Sequence, residues 1–173
     1  AHAIDATLLG GFEVRVDGQL IANVQWKLRH PRQLFQMLLL EPDGLSREQV
    51  LSVLWPDTDP TAAANRLHHT LHLVRGIFVG AGLSKAAPVA LLEADTVRLN
   101  PIHAVDVDVR SFSRCVAGAR GLANAAGTTS TEAALQQALA LYRGELAQGC
   151  PVDEWLSGRR EGLRVEFAWV LDR

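Results

Sequence analysis

Hydrophobic and polar residues alternate near the start of the chain. Within residues 8–21, every second position from Phe12 to Val16 is apolar, and the pair Asp17-Gly18 follows directly. A period of two with this turn signal predicts a β-hairpin. The stretch from Val89 to Leu99 has strand-like ends around Glu93-Ala94-Asp95, which predicts a second hairpin.

Between the two hairpins, apolar residues recur at helical spacing in three segments. The first segment starts at Pro31, since proline is tolerated at the first position of a helix. The second starts at Ser46, with Gln49 three residues later in the pattern of a capping box. Asp59 followed by Pro60 gives the third an N-cap and a first residue, so we predict this helix over residues 60–78. Its inward face is predicted to consist of Leu67, Leu71, Val74 and Phe78.

From Asp106 onward only helical patterns remain. They predict helices over 109–119, over 131–146 and from Asp153 to the end, with a loop over 123–130. The order of strands, three helices and a hairpin is that of an α+β winged helix-turn-helix with an extra N-terminal β-sheet. We therefore predict one domain over residues 1–104 and an all-α domain over 105–173. In the last helix we predict a buried apolar stripe of Leu156, Leu163, Phe167, Val170 and Leu171, and a solvated face with Arg159, Arg160 and Arg164.

The overall charge argues against a protein that coats nucleic acid through charge alone. The 173 residues contain 17 Lys and Arg against 19 Asp and Glu, a formal net charge of -2 at pH 7. The charges are unevenly placed, because the stretch from Pro60 to Leu92 contains no Asp or Glu. This stretch includes the predicted third helix and carries Arg66, Arg75, Lys85 and three histidines. We expect it to be the segment that meets an anion.

Other chemistries have little support in the residues. Cys115 and Cys150 lack the spacing of metal ligands, and we interpret them as buried thiols in a reducing cytoplasm. His68 and His72 lie four apart, but no further zinc ligand is at suitable spacing, so the three helix histidines are expected to face solvent or DNA or to pack against neighbouring elements. We expect no metal, no cofactor and no enzymatic activity, since no nucleophile elbow, phosphate loop or metalloprotease spacing is present. No apolar run approaches the length of a membrane span, and no secretory signal is visible.

Seven short motifs, taken together in their order and spacing, resemble a known family. Five lie in the first hundred residues, and two follow. The five are Leu9-Gly10-Gly11-Phe12-Glu13-Val14, Pro31-Arg32-Gln33, Leu54-Trp55-Pro56-Asp57, Asn65-Arg66-Leu67-His68 with Leu71-His72-Leu73-Val74-Arg75, and Val97-Arg98-Leu99-Asn100. The two are Val105-Asp106-Val107-Asp108-Val109-Arg110-Ser111-Phe112 and Ala138-Leu139-Ala140-Leu141-Tyr142-Arg143-Gly144-Glu145-Leu146. The first set is similar to the OmpR-type winged-helix domain of the SARP family of bacterial transcriptional activators, and the second to the bacterial transcriptional activator domain that follows it there.

The resemblance implies that the third helix and the second hairpin bind DNA. In such domains the third helix is the recognition helix, which enters the major groove, and the hairpin is the wing. On this basis Asn65 is expected to read adenine, Arg66 guanine and Leu73 a thymine methyl group. His69 and His72 share the outward face of the same helix. Contacts with the phosphate backbone are expected from Arg75, from Arg98 in the wing, and from Lys27, Arg29 and Arg32.

Two functions remain open on the sequence alone. The first is a sequence-specific, DNA-binding transcriptional regulator whose partners are double-stranded promoter DNA, a second copy of the chain and RNA polymerase. In it a tetratricopeptide-like helical domain mediates the protein contacts. The alternative is a protein-protein interaction module of a larger signalling protein whose winged helix no longer binds DNA, which the acidic wing tip and Leu73 favour. If the histidines face DNA, protonation adds positive charge, so affinity is expected to rise as the pH falls from about 8 to about 6.

Overall fold

The structure is a computed structural model that describes residues 1–124, 128–150 and 154–173. Its strands are β1 (Ala3–Thr7), β2 (Glu13–Val16), β3 (Gln19–Leu20), β4 (Leu45–Ser46), β5 (Ala90–Glu93), β6 (Thr96–Leu99) and β7 (Ala104–Val107). Its helices are α1 (Arg29–Leu40), α2 (Arg47–Leu54), α3 (Pro60–Gly80), α4 (Asp108–Asn124), α5 (Thr128–Leu141) and α6 (Glu154–Leu171), and a 3₁₀ turn at Asn23–Trp26 precedes α1. This composition confirms the predicted α+β class with an N-terminal sheet and a helical C-terminal part.

The chain folds into two compact units. Unit 1 consists of Ala1–Asp5 and Val14–Val105, and unit 2 consists of Ala6–Glu13 and Asp106–Arg173. This division differs from the predicted one, because Ala6–Glu13 lies within the first 104 residues and yet packs in unit 2. The reason is hydrogen bonding to the first residue of α4: the Asp108 carboxylate accepts from the backbone N–H groups of Leu8 and Leu9, each at 2.9 Å.

Both predicted hairpins are present in unit 1. The β2–β3 turn is formed by Asp17 and Gly18, whose positive φ values of 49° and 84° suit the tight two-residue turn. Strands β5 and β6 pair antiparallel and turn at Ala94 and Asp95. The strand orders are β3-β2-β1-β7 in one sheet and β4-β6-β5 in the other. Strands β1, β4 and β7 were not predicted.

The helices of unit 1 begin close to where the sequence predicts. The capping box of α2 is confirmed: the Ser46 hydroxyl accepts from Gln49 N at 3.1 Å, and Gln49 Oε1 accepts from Ser46 N at 3.0 Å. α3 begins at Pro60 and ends at Gly80, two residues later than predicted, and its four predicted inward residues are 0–1% exposed. The core is centred on three aromatic rings, with Phe35 4.9 Å from Phe78 and 5.4 Å from Trp26 between centroids.

Unit 2 contains α4, α5 and α6, and the bounds of these helices differ in part from the predicted ones. α4 is longer than predicted, and α5 ends at Leu141 instead of residue 146 because Leu146 forms a β-bridge with Leu9. α5 also begins at Thr128, inside the predicted loop, while residues 125–127 and Asp153 lie outside the described residues. In the core of unit 2, the rings of Tyr142 and Phe167 stack with their centroids 4.1 Å apart.

The prediction that Arg160 is solvated was wrong. This side chain is 4% exposed, and its guanidinium donates to the carbonyl oxygens of Leu146, Ala147 and Cys150 at 2.9, 3.1 and 3.4 Å. These carbonyl groups follow the end of α5, and the buried guanidinium donates to all three of them, while the Ala147 carbonyl also accepts from Cys150 N at 3.0 Å. Leu171, which was predicted to be buried, is 62% exposed, and Cys115 is only half-buried whereas Cys150 is buried.

Candidate nucleic-acid interface

α3 carries the predicted recognition residues on its exposed face. Its start is fixed by Asp59, whose Oδ2 accepts from the N–H groups of Thr61 and Ala62 at 3.1 and 3.2 Å, and by Pro60 at the first position. The apolar spacing then turns one stripe into the core of unit 1 and leaves the other face outside. The residues on that outer face are Asn65, Arg66, His68, His69 and His72, all of them exposed, with Leu73 half-buried beside them.

The first turn of α1 lies against this exposed face and forms a groove of about 500 Å³ with it. Five of the ten predicted DNA-binding residues line the groove: Arg29, Asn65, Arg66, His69 and Leu73. The other lining residues are Leu28, His30, Pro31, Trp55 and Thr70. The structure therefore brings together residues from two predicted sets, the base-reading helix and the start of the first helix.

The charge of the groove is positive. Among the described residues that line it, none is Asp or Glu, while two are arginines and two are histidines. Arg66 Nη1 donates a long hydrogen bond of 3.4 Å to Thr58 Oγ1, and Arg29 Nε donates to Gln33 Oε1 at 3.3 Å. Both guanidinium groups keep further N–H donors on exposed side chains. The groove can therefore accept an anion or a base edge rich in acceptors.

Two of the predicted phosphate contacts, Arg75 and Arg98, make bonds to other groups of unit 1. Arg75 is half-buried, and its Nε donates to the carbonyl oxygen of Ala90 in β5 at 3.0 Å. Arg98 in β6 forms an ion pair of 2.6 Å with Glu93 in β5. Neither residue lines the groove. In the predicted wing, the charge of Arg98 is therefore compensated by Glu93, next to the turn at Ala94 and Asp95.

The remaining predicted residues lie elsewhere on unit 1. Lys27 is exposed between the 3₁₀ turn and α1, and His72 is exposed on α3, but neither lines the groove. Arg32 is half-buried on α1, and its Nε atom is buried without a hydrogen-bond partner in the part of the chain that the structure describes. These three residues lie apart from the residues that line the groove.

Sequence reasoning missed the second wall of the groove. His30 and Trp55 pack against each other with ring centroids 5.1 Å apart, although 25 positions separate them in the chain. Leu28, at the rim of the groove, is 52% exposed, so a pattern of buried apolar residues does not predict its place there. The available signal was the motif Leu54-Trp55-Pro56-Asp57, which contributes to the family resemblance but does not by itself place Trp55 beside His30.

The described residues show neither a metal site nor a membrane span. No group of three His, Cys, Asp or Glu side chains in residues 1–124, 128–150 and 154–173 could hold a metal ion. None of the helices in these ranges combines the length and the apolar content that crossing a bilayer requires.

The C-terminal part of the chain is similar to a known domain family. Residues 107–172 match the family model of the bacterial transcriptional activator domain. No curated protein matches the chain. Among solved structures, a chain of Mycobacterium tuberculosis EmbR, determined in complex with a low-affinity phosphopeptide, matches with a TM-score of 0.79 at 19% identity. The match covers 99% of the present chain and 44% of the EmbR chain, so the present chain spans less than half the length of that relative.

Proposed function

We propose that unit 1 is a winged-helix DNA-binding domain and that the protein is a sequence-specific regulator of transcription. The observation that carries this proposal is the acid-free groove, in which Arg29 and the exposed face of α3 converge. The match of residues 107–172 to a transcriptional activator domain supports the same function. The fold shared with the EmbR chain is consistent with it.

In this proposal α3 lies in the major groove and reads bases with three side chains. Arg66 exchanges its long bond to Thr58 for a bidentate contact with guanine O6 and N7. Asn65 is exposed one position earlier and pairs with adenine, and Leu73 offers an apolar contact to a thymine methyl group. The hairpin β5–β6 is the wing and contributes little charge, because Glu93 pairs with Arg98.

The backbone contacts that remain set the expected salt dependence. We propose phosphate contacts from Lys27, Arg29 and Arg32, and not from Arg75, which is half-buried and donates to Ala90, or from Arg98, which is paired with Glu93. With about three phosphates neutralised, the logarithm of the affinity should fall with the logarithm of the salt concentration at a slope of about -2.7.

The proposal is tested by selecting a duplex from a randomised pool and measuring its affinity by fluorescence polarisation at several salt concentrations. Arg66→Ala should cost about 1–3 kcal/mol, or about 5- to 150-fold in affinity, and should relax the preference for one base pair. Arg32→Ala should weaken binding to all duplexes alike, because phosphate contacts carry no sequence information. The matched control is Arg15→Ala, which removes the same charge from an exposed position on β2 outside the groove.

The outcomes separate the proposal from its alternative. Equal affinities of the Arg66 and Arg15 variants would show that α3 is not the reading helix. If no duplex binds even at low salt, the DNA-binding proposal is refuted and the alternative of a protein-interaction module is favoured.

We further propose that unit 2 contacts other proteins, either a second copy of the chain or RNA polymerase. Unit 2 exposes apolar side chains, with Leu139, Val165 and Leu171 at 42%, 57% and 62% exposure. Sedimentation over a range of concentrations tests self-association, which Val165→Glu should weaken. A monomer at all concentrations that also fails to bind purified RNA polymerase would contradict this part of the proposal.

A further inference from the structure

His30 is an unused titratable group in the wall of the groove. It lies in the first turn of α1, is half-buried, and packs on Trp55 with the ring planes tilted by 55°. In the described part of the chain neither ring nitrogen has a hydrogen-bond partner. The imidazole is thus held in place by packing while both nitrogen atoms are available.

The groups that face His30 are cationic or neutral. Arg29 is its neighbour on α1, Arg66 and His69 line the same groove from α3, and Trp55 brings no charge. Partial burial, followed by the positive charges of Arg29 and Arg66, lowers the pKa of His30 below its ordinary value of 6.5. A neutral imidazole beside two guanidinium groups changes its proton affinity strongly when an anion arrives.

The start of α1 adds donors for such an anion. The N-cap residue is Leu28, whose side chain has no atom to accept from the first-turn N–H groups, and the first turn contains no acid. The positive end of the helix dipole is therefore uncompensated by a side chain. Arg29 uses its Nε atom for Gln33 and retains its terminal N–H groups.

We propose that Arg29 and His30 form a phosphate-binding site at the rim of the groove, in which binding of a phosphodiester is coupled to uptake of one proton from solvent by His30. Phosphate oxygens accept from the Arg29 guanidinium and from the protonated imidazole. DNA as the source of the phosphodiester rests on the proposed function, whereas the phosphate chemistry does not. In the DNA complex Arg66 turns toward a base, which removes one of the charges that keep His30 neutral.

The coupling fixes the direction of the pH dependence. The bound state has the higher pKa for His30, so it binds more protons than the free state between the two pKa values. Affinity for a phosphodiester therefore rises as the pH falls through this interval and is flat outside it. Each unit of difference between the two pKa values gives about a tenfold gain in affinity.

The test follows the His30 ring protons by NMR across pH in the whole chain. Three states are compared: the free protein, the protein with inorganic phosphate, and the protein saturated with the selected duplex. We expect the His30 titration to move to higher pH with duplex and, to a smaller extent, with inorganic phosphate. Calorimetry of duplex binding in two buffers of different ionisation enthalpy should independently show proton uptake.

The variants separate His30 from the other histidines. His30→Gln should abolish most of the proton uptake, and Arg29→Gln should reduce the response to inorganic phosphate. His2→Gln is the matched control, because His2 lies outside α3 and outside the groove, bonded to Asp17 at the first hairpin, and the substitution should leave the uptake unchanged. The wild-type titration does not depend on whether any variant folds.

Each outcome bears on one proposal or both. If the duplex binds with salt dependence while the His30 titration stays in place, the phosphate site is refuted and the DNA-binding proposal stands. If no duplex binds but inorganic phosphate shifts His30 in an Arg29-dependent way, the phosphate site is supported with a free anion as ligand and DNA binding fails. If neither shifts His30, the site is refuted.

Discussion

A methyl group at Gly10 should destabilise unit 2 strongly. Gly10 has a φ of +85°, and a Cβ atom built on it would lie 2.7 Å from the carbonyl carbon of Arg143 and 2.9 Å from the nitrogen of Gly144. These are backbone atoms, so no side chain can rotate away from the new methyl group. The position is also held by hydrogen bonding, since Gly10 N donates to the Glu145 carbonyl at 3.0 Å.

The magnitude for Gly10→Ala follows from two terms. A residue with a Cβ atom at positive φ costs about 1–2 kcal/mol. Displacement of packed backbone costs about 1–3 kcal/mol more, as in other overpacked sites. The sum of about 2–5 kcal/mol is a large part of the stability of an ordinary domain, and each kcal/mol lowers the Tm of a protein of this size by about 2–4 °C.

The matched control is Gly11→Ala, one residue further along the chain. A Cβ atom on Gly11 meets no atom within 4 Å, and no positive φ is present there. Urea unfolding followed by circular dichroism should therefore show a loss of free energy for Gly10→Ala and little change for Gly11→Ala. If the two variants unfold within about 0.5 kcal/mol of each other, the close backbone approach is not what requires glycine at this position.

Two further predictions concern arginines that serve the fold. Arg75→Ala should lower the free energy of unfolding of unit 1 by about 1 kcal/mol, because the hydrogen bond to Ala90 is lost; urea unfolding measures this. At temperatures where the variant is folded, fluorescence polarisation should show an unchanged DNA affinity. A large loss of affinity in a fully folded variant would return Arg75 to the interface. Arg160→Met should destabilise unit 2 by about 1–3 kcal/mol, because the Leu146 carbonyl loses the donated N–H of Arg160, whereas the Ala147 carbonyl still accepts from Cys150 N; unchanged urea unfolding would contradict this role.

The helices and hairpins of unit 1 could be predicted because their signals are local. Ser46 and Gln49 cap a helix from three positions apart, and Asp59 with Pro60 starts α3 within one turn. The short strands gave no such signal. Strand β4 has only two residues, Leu45 and Ser46, and exists because β6, about fifty positions later, pairs with it.

The candidate site could be predicted only on the helix that shows periodicity. The outward face of α3 follows from its buried stripe, but the same spacing cannot show that Arg75 finds the carbonyl of Ala90 in β5. His30 and Trp55 contribute a wall of the groove through tertiary packing alone. The Glu93–Arg98 ion pair is different, because it could have been predicted from the sequence: a hairpin that turns at residues 94–95 brings these two side chains near each other.

The motif at Gly10-Gly11 has a different meaning in the structure from the one its position implies. Its place in the sequence predicts that it belongs to the DNA-binding domain, yet its backbone bonds to Glu145, and its neighbours Leu8 and Leu9 bond to Asp108, all within unit 2. A fragment cut after residue 104 would leave these two leucines, both 0% exposed here, without their partners. A fragment starting at residue 106 would leave the Asp108 carboxylate without two of its donors. A boundary chosen by sequence order therefore divides a packed unit, and the functions proposed for the two units should be tested on the whole chain.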